Sequence, residues 1–228
     1  MDNKRITIFA GHYGSGKTNI AVNYALMLRE AYPDAPVSVA DLDIVNPYFR
    51  TKDSLKVMES NGINLISSPF ANSNVDLPSL PAETYSILDN HEILAVIDVG
   101  GDDRGALALG RYIPAILKED NYEMLFVINK YRPLTKTSQG ALEIMAEIEC
   151  AAKIRFTGIV NNSNLGDATT AKDVLSSLSY AEEISKKTGL EIRMTTINTS
   201  LFGELEGKID NLVPLKLYVK QSWTKQEV

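Results

Sequence analysis

The sequence predicts an α/β fold: a single domain over residues 1–228 with a mostly parallel, doubly wound sheet. Three observations lead there. Strand-like apolar runs alternate with helical periodicity from end to end, as in successive βα units. Several of these runs are apolar without interruption, such as Ile93-Leu94-Ala95-Val96-Ile97. That pattern suits strands buried on both faces, the parallel case. No linker, repeat or low-complexity tract divides the chain, and 228 residues suffice for one large core.

In chain order, strands are expected at Arg5–Ala10, Pro36–Ala40, Ile63–Ser67, Ile93–Val99, Tyr122–Asn129, Ile154–Asn161 and Glu191–Ile197. Helices are expected at Gly16–Ala31, Ser79–Asn90, Arg104–Lys118, Leu134–Ala151 and Ala168–Thr188. The first helix places Ile20, Tyr24, Met27 and Leu28 at helical spacing, and the fourth places Leu142, Ile144, Met145 and Ile148 likewise. Cys150 ends that stretch and reads as a small core residue. Pro69–Pro81, rich in Asn, Ser and Pro, reads as an exposed loop. Right-handed crossovers then bring every strand-to-helix loop to one edge of the sheet.

Composition narrows the function. A net charge of −6 argues against general nucleic-acid binding, which needs a basic face. No apolar stretch spans a bilayer, and the first strand follows Met1 too closely for a signal peptide, so a cytoplasmic protein is expected. One cysteine permits neither an intrachain disulfide nor a Cys-x-x-Cys metal site. The tail Leu212–Val228 has three lysines, a proline and irregular apolar spacing, so no amphipathic membrane anchor is expected.

The chemistry is concentrated in Gly11-His12-Tyr13-Gly14-Ser15-Gly16-Lys17-Thr18, which fits the phosphate-binding pattern G-x-x-x-x-G-K-[ST] between a strand and a helix. Gly11, Gly14 and Gly16 let backbone N–H groups, those of His12, Tyr13 and Ser15 included, wrap a phosphate. The helix beginning near Gly16 adds its positive end. Lys17 is placed for the β- and γ-phosphates, and the Thr18 hydroxyl for magnesium. Two acidic segments follow strands: Asp41-Leu42-Asp43, and Asp98-Val99-Gly100-Gly101-Asp102-Asp103-Arg104. Asp98 suits a water-linked magnesium carboxylate. Asp43 suits orientation or deprotonation of an attacking water. The backbone at Gly100 and Gly101 suits sensing of a γ-phosphate.

This ordered set resembles the MinD/ParA/Mrp branch of phosphate-loop ATPases, which includes nitrogenase iron protein and the nucleotide-binding part of cobyrinic acid synthases. The resemblance implies a P-loop NTPase fold that binds ATP with Mg2+, often in a nucleotide-dependent homodimer, with hydrolysis read by a protein partner. It assigns Lys17 and Thr18 to the phosphate loop, Asp43 to water positioning and the metal region, Asp98 to magnesium, and Asn161 or Asn162 to the adenine. The family carries a second lysine after the first glycine, and this chain has His12 there. A neutral imidazole supplies no such charge. Arg104 or Arg50 is the candidate replacement. Arg50 belongs to Asn46-Pro47-Tyr48-Phe49-Arg50, where the family has its first switch.

An ATPase switch acting on a protein or cofactor-maturation partner is therefore expected. The alternatives are a small-molecule ligase or kinase of the dethiobiotin/cobyrinic synthase type, and a nucleotide sensor with negligible turnover. Adenine is expected over guanine. Asn129-Lys130-Tyr131-Arg132 mimics the guanine-reading Asn-Lys-x-Asp, but Arg132 can only donate where guanine needs an acceptor.

Overall fold

The computed structural model describes residues 4–43, 52–67, 83–101 and 103–218. Eight strands form one sheet: β1 Ile6–Ala10, β2 Val37–Leu42, β3 Ile63–Ser67, β4 Leu94–Val99, β5 Tyr122–Ile128, β6 Gly158–Asn161, β7 Ile192–Asn198 and β8 Leu212–Leu215. Their order is β3-β2-β4-β1-β5-β6-β7-β8, and every neighbouring pair is parallel. The helices are α1 Lys17–Ala31, α2 Lys52–Ser60, α3 Glu83–Asp89, α4 Asp103–Gly110, α5 Ile113–Glu119, α6 Ser138–Ala152, α7 Ala171–Thr188 and the short α8 Phe202–Leu205. This is an all-parallel, doubly wound α/β sheet. None of the described helices is long and apolar enough to cross a membrane.

Strand alternation divides the core into two layers. Ile6, Ile8 and Ala10 of β1, Ile97 of β4 and Phe126 of β5 face one side, where Leu109, Ile116, Met145 and Ile184 of α4 to α7 cover them. Phe9, Val96, Leu125 and Val127 face the other, under Ile20, Ala21, Tyr24 and Leu28 of α1 and Met58 of α2. From β1 the chain runs outward to β2 and β3, returns to β4, then passes β1 to reach β5. Chain direction therefore reverses around β1. The loops leaving the C-terminal ends of β1 and β4 part there, which is where a doubly wound sheet opens its ligand crevice.

Several elements differ from the sequence expectation. The helix expected over Arg104–Lys118 is two, α4 and α5, broken at Arg111 and Tyr112. Pro114 in the first turn of α5 lacks the N–H that would continue a helix through the break. The sixth strand begins at Gly158 rather than Ile154. Ile154 and Phe156 are apolar because they fill the core from a loop, not because they pair. α2, α8 and β8 were not anticipated. Of the helix expected over Ser79–Asn90, Glu83–Asp89 is helical and the residues before it lie outside the described set. The loop expected over Pro69–Pro81 and the end of the tail lie outside it as well. Cys150 is exposed, contrary to its expected core position. The buried stripe of α6 is Ala141, Met145, Ile148 and Ala152, and position 150 is half a turn off it.

Phe126 is fully buried, with its ring centroid 4.9 Å from that of Phe156. Phe126→Ala is expected to cost about 3–5 kcal/mol in urea unfolding. A loss below about 1 kcal/mol would place the dominant core elsewhere.

Candidate functional site

The loop Gly11–Gly16 joins the end of β1 to α1. Gly14 and Gly16 hold φ of 74° and 92°, the left-handed region that glycine tolerates. Gly11 is required for a different reason: a Cβ there would lie 2.4 Å from the Val127 carbonyl oxygen, so β5 leaves no room for a side chain. Ser15 N–H closes a turn on the His12 carbonyl at 3.1 Å, and Lys17 Nζ donates to the same carbonyl at 3.3 Å. His12 is half-buried, and its Nδ1 lies 3.0 Å from the Tyr13 carbonyl oxygen.

The start of α1 is bare of protein caps. Its N-cap is Gly16, with no side-chain hydrogen bond and no acidic residue in the first turn. α6 and α7, by contrast, are capped by Thr137 and by the Thr170–Asp173 capping box. An uncapped first turn presents N–H donors together with the positive end of the helix dipole, the combination that suits a phosphate.

Carboxylates gather beneath the loop. Asp98 lies at the end of β4, only 1% exposed, and its Oδ2 accepts from Thr18 Oγ1 at 2.7 Å. Burial pushes its carboxyl up to about 7, against the pull of Lys17 and the Thr18 hydrogen bond, while Asp43 pushes the same way as burial. Parallel pairing places Asp41 of β2 directly beside Asp98. Asp41 and Leu42 thus belong to the strand they were expected to follow. Asp41 Oδ1 accepts from the Asp43 N–H at 2.9 Å, which fixes the backbone where Asp43 leaves the sheet. No role is expected of Asp41 from sequence; its identity as a strand-end carboxylate level with Asp98 is the available signal.

Glycines let the segment after β4 close onto this group. A Cβ on Gly100 would meet the Asp43 Cα and Oδ1 at 3.4 Å, and one on Gly101 would lie 2.4 Å from the Tyr13 nitrogen. Lys17, Thr18, Asp43, Asp98 and Gly101 are therefore brought together around Gly11–Gly16. Arg104 lies in the first turn of α4, and its side chain is outside the described residues, as are Arg50 and the whole segment from Asn46.

Two buried polar atoms without a partner flank the loop: Ser15 Oγ and Asp98 Oδ1. Leaving such an atom unmet costs about 1–3 kcal/mol. An unmet carboxylate oxygen next to the Thr18 hydroxyl fits magnesium, which takes one or two protein oxygens and completes its shell with water and phosphate. Among the described residues no three His, Cys, Asp or Glu side chains form a protein metal cage.

The asparagines expected to meet a base are committed within the fold. Asn161 is fully buried, with Nδ2 on Ser177 Oγ at 3.0 Å and Oδ1 accepting from Ser163 Oγ at 2.7 Å. Asn162 Nδ2 donates to the Ser15 carbonyl at 2.6 Å, and its Oδ1 accepts from Thr196 Oγ1 at 2.7 Å. Asn129 joins the loops after β5 and β6 through Asn164. Arg132 Nε donates to the Gly14 carbonyl at 2.8 Å. Arg132 and Asn162 thus both touch the Gly11–Gly16 loop, a contact that their sequence positions did not disclose.

No protein-family model matches the sequence, and no curated protein matches it. Solved structures do match. FtsY from Thermotoga maritima aligns with a TM-score of 0.57 and 18% identity, over 85% of this chain and 61% of that one. FtsY from Mycoplasma mycoides aligns at 0.54 and 19%, over 86% and 61%. At these identities the likeness is one of fold, and the chain spans about 61% of the length of these neighbours.

Asp98 yields a prediction for the nucleotide-free protein. Its folded pKa is raised from 3.8 to about 7, so over that range the folded state holds a proton the unfolded state has lost. Stability from this group is therefore present at low pH and lost as pH rises through about 7. Urea unfolding at pH 5.5 and 8 is expected to show a drop that Asp98→Asn flattens, with the variant gaining on the wild type at pH 8. An unchanged pH slope in the variant would assign the drop to other groups.

Proposed function

We propose that this chain is a magnesium-dependent ATPase whose nucleotide state is read by a protein or cofactor-maturation partner. The observation that carries the reading is the Thr18–Asp98 hydrogen bond, with an unmet Asp98 oxygen beside it, beneath an uncapped glycine loop that holds Lys17. Bound magnesium would supply charge neutralisation for the β- and γ-phosphates there, held by Thr18 and, through water, by Asp98.

The chain's own residues take the remaining roles. The first-turn N–H groups of α1 and the Lys17 ammonium bind and orient the phosphates. Asp43, braced through Asp41 and close to Gly100, orients the attacking water. Gly101, against Tyr13, passes loss of the γ-phosphate to α4. Arg104, at the start of α4, is the proposed cation in place of the signature lysine. Adenine is preferred because Arg132 stands where guanine would need a carboxylate. Tyr13, Leu134 and Leu165 are exposed apolar residues on the loops after β1, β5 and β6, and a surface at this edge supports a nucleotide-dependent partner or homodimer. A cytoplasmic location accompanies this reading.

Lys17→Ala is expected to weaken ATP binding at least tenfold, about 1.4 kcal/mol, by calorimetry. Unchanged affinity would remove the phosphate-loop assignment. Asp43→Asn should preserve binding and slow turnover in a phosphate-release assay, because the amide keeps the shape but not the basicity. Wild-type turnover in that variant would take Asp43 out of the reaction. Competition between ATP and GTP at equal magnesium tests the base, and a clear GTP preference would replace ATP in this reading.

A further inference from the structure

We infer that Arg132 and Asn162 are positioning residues that fix the backbone of the phosphate loop from outside, so that its peptides are held in one orientation before nucleotide arrives. The inference rests on the phosphate-loop reading above and deepens it. Two consecutive carbonyls of the loop are held by side chains from other elements: Gly14 by Arg132 Nε at 2.8 Å, and Ser15 by Asn162 Nδ2 at 2.6 Å. A trans peptide points its C=O and the following N–H in opposite directions, and the described chain has no cis peptide. Holding the Gly14 carbonyl therefore fixes the opposite direction of Ser15 N–H, which donates to the His12 carbonyl at 3.1 Å and closes the turn. Holding the Ser15 carbonyl likewise fixes the direction of Gly16 N–H, the next donor along the loop.

The hold is needed because of the residues it acts on. Gly14 and Gly16 flank these peptides and have the widest backbone freedom of any residue. Left alone, such a loop would flip its carbonyls inward, and a carbonyl facing a phosphate repels it. Fixing the binding conformation beforehand removes an ordering cost from each binding event. The anchors are themselves fixed. Asn162 is buried, and Thr196 of β7 donates to its Oδ1 at 2.7 Å, which orients the amide so that nitrogen, not oxygen, meets the loop. Arg132 is set by its own N–H on the Asn129 carbonyl at 3.2 Å and by the helical turn Pro133–Thr135 that follows. The fit at Gly16 is close: a Cβ there would lie 2.2 Å from Asn162 Nδ2. The third glycine is thus required by this contact as well as by its backbone angle.

Inorganic tripolyphosphate separates this role from others because it has phosphates and no base. Asn162→Asp keeps the shape but sets an acceptor against the Ser15 carbonyl. Arg132→Gln, at a half-buried position, removes the reach to Gly14. Each variant is expected to bind tripolyphosphate and ATP about tenfold more weakly, in parallel, and Arg132→Gln to keep a melting temperature close to the wild type. Arg132→Lys, which keeps a donor, should lie between Arg132→Gln and the wild type. Weaker ATP binding with unchanged tripolyphosphate binding would mean that these residues read the base, and would overturn the inference. So would wild-type affinity of Arg132→Gln for both ligands, even if Asn162→Asp fails to fold. Failure of the wild type to bind either ligand would remove the phosphate-loop reading itself, and the inference with it.

Discussion

A glycine-rich loop has no shape of its own. Between β1 and α1 this chain must turn backbone donors inward through residues chosen for having no side chain, and the rest of the molecule supplies the shape. β5 passes so close that Gly11 admits no Cβ beside the Val127 carbonyl. Arg132 and Asn162 hold two carbonyls from outside. Gly101 closes on the Tyr13 backbone from the β4 side. The loop is flexible by composition and confined by its neighbours.

The same convergence explains how a carboxyl group is tolerated in the core. Burial alone disfavours a charged Asp98, and the fold offsets this with the Lys17 ammonium and the Thr18 hydroxyl. Both come from the first turn of α1, whose buried face packs over Phe9 and Val96. The helix that covers the sheet therefore also delivers the groups that meet the carboxylate. Parallel register between β2 and β4 adds Asp41 at the same level, and its hydrogen bond to the Asp43 backbone orders the exit from β2. Packing and electrostatics are joined at one place, where the sheet changes direction around β1.

The fold class was legible because two periods repeat along the chain: apolar runs for buried strands and three-to-four spacing for covering helices. The glycine loop Gly11–Gly16 was legible because its residues are adjacent in sequence and its glycines have a local backbone reason. Errors arose where an apolar residue is buried for another cause, as with Ile154 and Phe156, which fill the core from a loop. Cys150 was misplaced because it neighbours the apolar stripe without belonging to it. The Arg111–Tyr112 break was missed because both segments share one periodicity, and only Pro114 marked the interruption.

By itself the sequence determined the parallel α/β sheet, the loop Gly11–Thr18 and the strand-end carboxylates Asp43 and Asp98, because each is written in local order. Tertiary structure decided what those groups touch. Arg132 is 118 residues from Gly14, and Asn162 is 147 from Ser15, yet each meets a loop carbonyl. The Asn162 amide lies between Ser15 and Thr196, which nothing in its own segment announces. The physical reason is that periodicity and turn chemistry fix the backbone over a few residues, whereas a side chain's partner is set by the order in which crossovers lay strands side by side. β5 comes to lie beside β1, and β6 beside β5, only after the chain has run out to β3 and returned.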